Sequence, residues 1–268
     1  MSDLSELNTR GVVLVGAGHM GGAMLRGWLD RGVTPSSITV ISPTARDWIK
    51  DAGVDVSGKM PKAPAVLVLA VKPQMVPTVL AELTIPAGTV VLSVAAGVTL
   101  ATMAKAAPDH ALIRAMPNLP AAIGQGITPI IGNDKATEDD LSLAETLLAA
   151  VGDVVRLQDE GQMDAVTAVS GSGPGYVFHM IEALATAAEA EGLPPDLALQ
   201  LARATVAGAA AMAKQSEELP STLRESVTSP GGTTQAGLAQ LMNADDGLAS
   251  LLTRAVHAAA NRSRELGA

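Results

Sequence analysis

The apolar run Val12-Val13-Leu14-Val15 passes directly into Gly16-Ala17-Gly18-His19-Met20-Gly21 and then into a helix-like stretch ending near Asp30. No other feature of the chain narrows the possible folds as far. A strand, the spacing G-x-G-x-x-G and a helix in that order form the fingerprint of a turn that binds a dinucleotide. In this reading Gly16 permits the tight turn, Gly18 lets a pyrophosphate rest on the backbone, and Gly21 lets the helix lie close to the sheet. His19 and Met20, at the same helix start, join the candidate cofactor residues.

The next β-type run, 38–41, ends at Ser42-Pro43-Thr44-Ala45-Arg46. A site that prefers NAD places Asp or Glu at this strand end to hold the ribose hydroxyls, and here Ser42 stands instead. Ser42, Thr44 and Arg46 suit a 2′-phosphate, because a guanidinium forks onto phosphate oxygens that a carboxylate would repel. The expected cofactor is therefore NADPH, with NADH possible. Arg46 reads equally well as a solvated residue at a helix start.

Five further runs, at 66–71, 89–94, 111–115, 127–131 and 153–157, alternate with helical patterns. Several are apolar on consecutive residues, as strands covered on both faces by helices must be. The first 157 residues thus predict an α/β domain built on a doubly wound, Rossmann-like sheet. Ligands of such sheets gather at the carboxyl ends of the strands. Three strand ends carry informative chemistry. At Ala70-Val71-Lys72-Pro73 a proline redirects the chain and Lys72 is free to reach a ribose or phosphate. Around Ala96 only small residues line the path of a dinucleotide. At Met116-Pro117-Asn118 an apolar side chain and an amide suit a nicotinamide ring. Taken singly, Lys72 also fits a solvated strand-end lysine and Met116 a core filler.

From residue 158 the β signal vanishes, and long Ala- and Leu-rich helical stretches take over to residue 268. One helix is expected over 159–169, an interruption over 170–175, and a second helix over 176–191 closed by Gly192, with Pro194 and Pro195 opening the next. The small-residue surface of 197–214 predicts burial against a second copy of the chain, hence a homo-oligomer. Near the end, Ser229-Pro230-Gly231-Gly232-Thr233-Thr234 feeds into the helical pattern 235–242. The glycine pair and the free N–H groups of a helix start make this turn a cradle for a carboxylate, although alone it reads first as helix capping.

Composition excludes other classes. One Tyr, one Phe and two Trp build no base-stacking platform, and a net charge of −9 without a basic run argues against nucleic acid. With zero cysteines there is no thiolate chemistry, and the four histidines show no metal-ligand spacing. No segment reads as a signal peptide or membrane span, so the chain is expected in the cytoplasm.

Taken together, Gly16-Ala-Gly-His-Met-Gly, Ala70-Val-Lys-Pro, Ala96-Gly-Val, Met116-Pro-Asn, Ser170-Gly-Ser-Gly-Pro and Val227-Thr-Ser-Pro-Gly-Gly-Thr-Thr resemble the pyrroline-5-carboxylate reductases over nearly the entire chain. The last motif is the most specific to that family. The resemblance implies a Rossmann domain, an all-helical dimerisation domain, NADPH or NADH as hydride donor, and an active site shared across a dimer or a larger ring of dimers. It further implies hydride delivery to the C=N carbon of Δ1-pyrroline-5-carboxylate, giving L-proline. Ser229, Gly231, Gly232, Thr233 and Thr234 would then hold the substrate carboxylate, with the Thr234 hydroxyl directed to the imine nitrogen. The chain departs from the family pattern at Ser57, where Asn is frequent in the adenosine-facing loop, and at Pro64, Leu119 and Gly175. Two alternatives stay open: a related imine or 2-hydroxy-acid reductase, and a non-catalytic NADPH-binding sensor. The hydroxy-acid relatives use a lysine from a long helix, whereas Lys214, the only lysine after Lys135, lies at a helix end.

Overall fold

The computed structural model describes residues 4–43 and 47–267. Its first half runs α1 (Ser5–Arg10), β1 (Val12–Val15), α2 (His19–Asp30), β2 (Ile38–Ile41), α3 (Asp47–Asp51), β3 (Val66–Leu69), α4 (Val76–Glu82), β4 (Val90–Ser93), α5 (Leu100–Ala106) and β5 (Leu112–Ala115). Then follow β6 (Gly126–Gly132), α6 (Glu138–Leu148), β7 (Gly152–Arg156), α7 (Met163–Val166), α8 (Gly173–Ala190), α9 (Pro195–Gln215), α10 (Pro220–Ser226), α11 (Thr233–Leu241) and α12 (Leu248–Gly267). Among the described residues no helix is long and apolar enough to cross a membrane.

The chain forms two compact units, one holding everything through Gly171 together with the end of α12 from Ala260, the other holding Ser172–Ala259. The first unit thus reaches past residue 157, where the change of pattern predicts the boundary. The segment after β7 still contributes covered side chains, Met163 and Ala168.

A seven-stranded sheet in the order β2-β1-β3-β4-β5-β6-β7 organises the first unit. The pairings are parallel except that β6 runs antiparallel to β5. β1, β3, β4 and β5 are buried along their whole lengths. Alternate residues of these strands feed two cores, one on each face. Leu14, Val68, Leu92 and Ile113 belong to the first with Trp28 and Leu147. Val15, Leu69, Val91 and Leu112 belong to the second with Leu80 and Met103. Indole burial leaves one N–H to satisfy, and Trp28 donates it to the Leu147 carbonyl at 2.9 Å, tying α2 to α6. Thr137 starts α6 with a reciprocal capping box to Asp140.

Residues 159–169 form no single helix. A short 3-10 turn, Glu160–Gln162, leads into α7, which widens into a π-turn at Thr167–Gly171. The expected interruption at 170–175 is correspondingly shorter, because α8 already starts at Gly173 and Pro174 sits in its first turn, where a missing N–H costs nothing. In the second unit α8 stops ahead of Gly192, and α9 begins at Pro195, as the sequence predicts. Its fully covered apolar side chains are small, Ala185, Ala198 and Ala202, while Phe178 is 52% and Met212 62% exposed. Helices packed through alanines leave their larger apolar side chains outside.

Candidate active site

Parallel pairing sets the geometry of the candidate cofactor site. Val15 lies opposite Ile41 and Leu69, Leu69 opposite Ser93, and Ser93 opposite Arg114. The residues that follow, Ser42, Gly16, Ala70, Val94 and Ala115, therefore form one row along the carboxyl edge of the sheet. At about 4.8 Å per strand the row spans roughly 19 Å.

Gly16 stands at φ +93°, and a Cβ there would lie 2.7 Å from the Ala70 carbonyl oxygen. Its backbone must therefore be glycine for both conformational and steric reasons. A Cβ on Gly21 would collide with the Gly16 carbonyl oxygen and touch the Ala70 Cβ at 3.2 Å. These close approaches bring α2 down onto the strand ends. Gly18 forms the N-cap of α2 without any side-chain cap, and a Cβ on it would meet nothing within 4 Å. The first-turn N–H groups of α2, including those of His19 and Met20, thus face an open space that a Cβ at 18 would invade. Unspent donors at a positive helix end are what a pyrophosphate requires, so these residues fit a dinucleotide.

The other strand ends are distributed along the row. Ala70 donates its N–H to Val15 at 2.8 Å, Val71 is half-buried, and exposed Lys72 precedes a 3-10 turn that begins with Pro73. Ala96 is exposed beyond β4. Ser42 is half-buried after β2. Thr44 and Arg46 lie outside the described residues. Ser57 follows Asp55, which bridges to Thr39 of β2. Its hydroxyl donates to the Asp55 carboxylate at 3.1 Å and accepts the Lys59 N–H at 3.4 Å. That hydroxyl is already engaged within its own loop.

Past β5, Met116 donates its N–H to the Pro129 carbonyl at 3.0 Å, and Pro117 and Asn118 are buried. The Asn118 carboxamide works at both ends, accepting the Ile127 N–H at 3.0 Å and donating to the Ser170 carbonyl at 3.2 Å. The sequence suggests an amide facing the nicotinamide, but in the structure the amide is a clamp between the β5 end, β6 and the π-turn. The Met116 methyl would lie 3.2 Å from a Cβ on Gly171, so glycine there makes room for it. Sequence reasoning missed the partner of Arg114, a buried cation on β5 whose guanidinium donates to Glu160 at 2.8 Å. A charge inside an otherwise apolar strand is the signal that a partner must exist.

A second candidate site lies within the second unit, between α10 and α11. Gly231 takes φ +72°, and Gly232, the N-cap of α11, carries no capping side chain. A Cβ on Gly232 would collide with the Ser229 hydroxyl. The turn differs from the expected cradle in its donors. The Gly231 N–H is bonded to the Gln235 side-chain oxygen at 2.6 Å and the Gly232 N–H to the Ser229 carbonyl at 3.0 Å. Donors for a carboxylate thus come from the first turn of α11, Thr233 and Thr234, both exposed. An open cleft of about 290 Å³, lined by Arg224, Thr228, Gln235, Leu238 and Met242 among others, adjoins this turn.

Residues 160–266 match the family model described as pyrroline-5-carboxylate reductase dimerisation, and residues 11–97 the model described as NADP oxidoreductase, coenzyme F420-dependent. The chain is 45% identical over 262 residues to the pyrroline-5-carboxylate reductase of Synechocystis sp., covering 95% of this chain and 97% of the relative. The enzyme of Pisum sativum is 41% identical over 271 residues, with coverage of 98% and 97%. Among solved structures, a pyrroline-5-carboxylate reductase from Coxiella burnetii superposes with TM-score 0.88 at 35% identity, covering 97% of this chain and 100% of that one.

Proposed function

The chain belongs to the pyrroline-5-carboxylate reductase family, and from that premise we propose that it reduces the C=N bond of Δ1-pyrroline-5-carboxylate to L-proline with NAD(P)H. The observation that carries the substrate assignment is the uncapped start of α11 behind the Gly231-Gly232 turn. A cyclic imino acid presents one carboxylate, and this turn leaves backbone donors unspent for it.

In this reading the N–H groups of Thr233 and Thr234, with the Ser229 hydroxyl, grip the carboxylate. Gly231 and Gly232 act by shaping the turn, since their own N–H groups are engaged. A gripped carboxylate fixes where the imine carbon lies, which converts an encounter into an aligned reaction. The Thr234 hydroxyl orients the protonated imine nitrogen, because a free hydroxyl is too weak an acid to supply the proton outright.

The reduced nicotinamide, when bound, supplies the hydride. Gly16, Gly18, His19, Met20 and Gly21 would hold the pyrophosphate; Ala70, Val71, Lys72, Pro73 and Ala96 would line the path between the two cofactor halves. Met116 and Pro117 would back the nicotinamide, and Asn118 would position them. Ser42, with Thr44 and Arg46, would favour NADPH by accommodating a 2′-phosphate, and Ser57 would stand near the adenosine. The helical part of the chain serves substrate binding and self-association, forming a dimer or a higher assembly of dimers. A cytoplasmic setting suits an enzyme that draws on the soluble NADPH pool.

The deciding assay mixes the protein with Δ1-pyrroline-5-carboxylate and NADPH or NADH and follows loss of nicotinamide absorbance. Pyruvate and pyrroline-2-carboxylate serve as competing substrates. Proline formation with higher kcat/KM for NADPH is expected. Preferred turnover of pyruvate or pyrroline-2-carboxylate would assign a different reductase, and binding of NADPH without turnover would leave a sensor.

A further inference from the structure

Arg114 lies in mid-sheet on β5, its side chain 7% exposed, and its Nη1 donates to Glu160 Oε1 at 2.8 Å; the Glu160 side chain is 29% exposed. The same carboxylate oxygen accepts the N–H of Leu100, the first residue of α5, at 2.9 Å. One atom therefore joins three segments: the end of β5, the start of the helix after β4, and the 3-10 turn that leads into α7. The anion also sits at the positive end of α5, whose N-cap Thr99 already accepts the Thr102 N–H. On the β4 side, Ser93 lies opposite Arg114, and its hydroxyl accepts the Ala95 N–H at 3.3 Å.

Stability alone gives little reason to keep such a pair. Desolvating two charges roughly offsets their attraction, and apolar residues of similar volume commonly serve the fold as well. The location supplies another reason. Leu100 closes the loop 94–99 and Arg114 lies two residues before the loop 116–118, and the two loops leave the carboxyl edge of the sheet beside one another. We infer that Arg114 and Glu160 are positioning residues that set the spacing of these two loops, and thereby the seat of the nicotinamide half of the cofactor. The adenosine half, at the ends of β1 and β2, does not depend on them. This inference rests on the cofactor assignment made above.

The test compares the full-length parent with Arg114→Met combined with Glu160→Met, and with Arg114→Lys alone. Melting temperature is recorded without cofactor, and Kd is measured for NADPH and for its adenosine fragment, 2′,5′-ADP. The double variant should melt close to the parent and bind the fragment with parental affinity, while NADPH binds about tenfold more weakly, as a displaced seat demands. Arg114→Lys, which keeps a cation toward Glu160, should restore NADPH affinity to within about threefold. Parental NADPH affinity in the double variant, equal weakening of both ligands, or loss of cooperative melting would each overturn the inference. A parent that fails to bind NADPH overturns the cofactor assignment as well. A parent that binds NADPH without reducing the imine overturns only the assigned reaction, because neither titration contains substrate.

Discussion

Gln235 turns its carboxamide oxygen back onto the Gly231 N–H at 2.6 Å, so α11 restrains the turn that introduces it. A donor expected to meet substrate is occupied by the protein itself. Replacing Gln235 by Leu should cost about 1 kcal/mol of stability, the worth of one such bond, and leave the KM for the imino acid within about twofold. Thermal melts and initial-rate kinetics check this, and a tenfold rise in KM would make the latch part of the carboxylate grip.

Thr234 carries the sharper chemical expectation. Thr234→Ala should lower kcat/KM about tenfold to a thousandfold, or about 1.4 to 4 kcal/mol, the range for losing one donor near developing charge. Thr234→Ser should recover most of it. Kinetics of the alanine variant indistinguishable from the parent would take the hydroxyl out of the reaction.

Two glycines of one motif should separate binding from folding. A Cβ at Gly18 enters open space, so Gly18→Ala should melt like the parent yet weaken NADPH binding at least about tenfold. At Gly21 the added carbon meets the Gly16 carbonyl, so Gly21→Ala should destabilise by about 1 to 3 kcal/mol. Paired melts and NADPH titrations distinguish the two; the same outcome at both positions would contradict the geometry.

Arg156 on β7 donates to Glu145 at 2.6 and 2.9 Å, to Ser142 at 3.2 Å and to Glu138 on α6. Hydrogen bonding to Glu145, then Glu138, raises its pKa above the ordinary guanidinium value. The charge persists at every working pH, so the network contributes no pH dependence through the arginine. Arg156→Ala should cost about 1 kcal/mol, or about 2 to 4 °C in Tm, with kcat unchanged. Loss of activity at intact Tm would give this edge a role in the reaction.

The helical unit exposes Phe178, Met212 and Leu252 while burying chiefly alanines. Such a surface needs a partner, and a second copy of the chain is the expected one. Light scattering on the eluting protein should give a mass of two chains or a multiple of two, and a stable monomer at micromolar concentration would remove the expectation.

Most of the sheet was legible because strands covered on both faces must be apolar without interruption, as Val12–Val15 and Val66–Leu69 are. The antiparallel entry of β6 was not, since the run containing Pro129 reads the same in either direction. Gly173 and Gly175 look like a break but stand in the first turn of α8, where Pro174 is welcome. At the site, the glycine fingerprint carried its own geometry, being local. The Arg114 to Glu160 pair and the two-ended use of Asn118 join residues distant in sequence, and no spacing rule encodes them. The Gln235 latch depends on a side-chain rotamer, which sequence does not specify.

The π-turn at Thr167–Gly171 amounts to one residue more than an α-helical path would need, and Ser170 presents its carbonyl to Asn118 from within it. Removing a single amino acid from this stretch would let the coil tighten to ordinary pitch and withdraw the carbonyl that Ser170 presents to Asn118. The chain's length here is thus itself a structural parameter: a one-codon deletion would uncouple the clamp behind Met116 although the side chains that form it all remain.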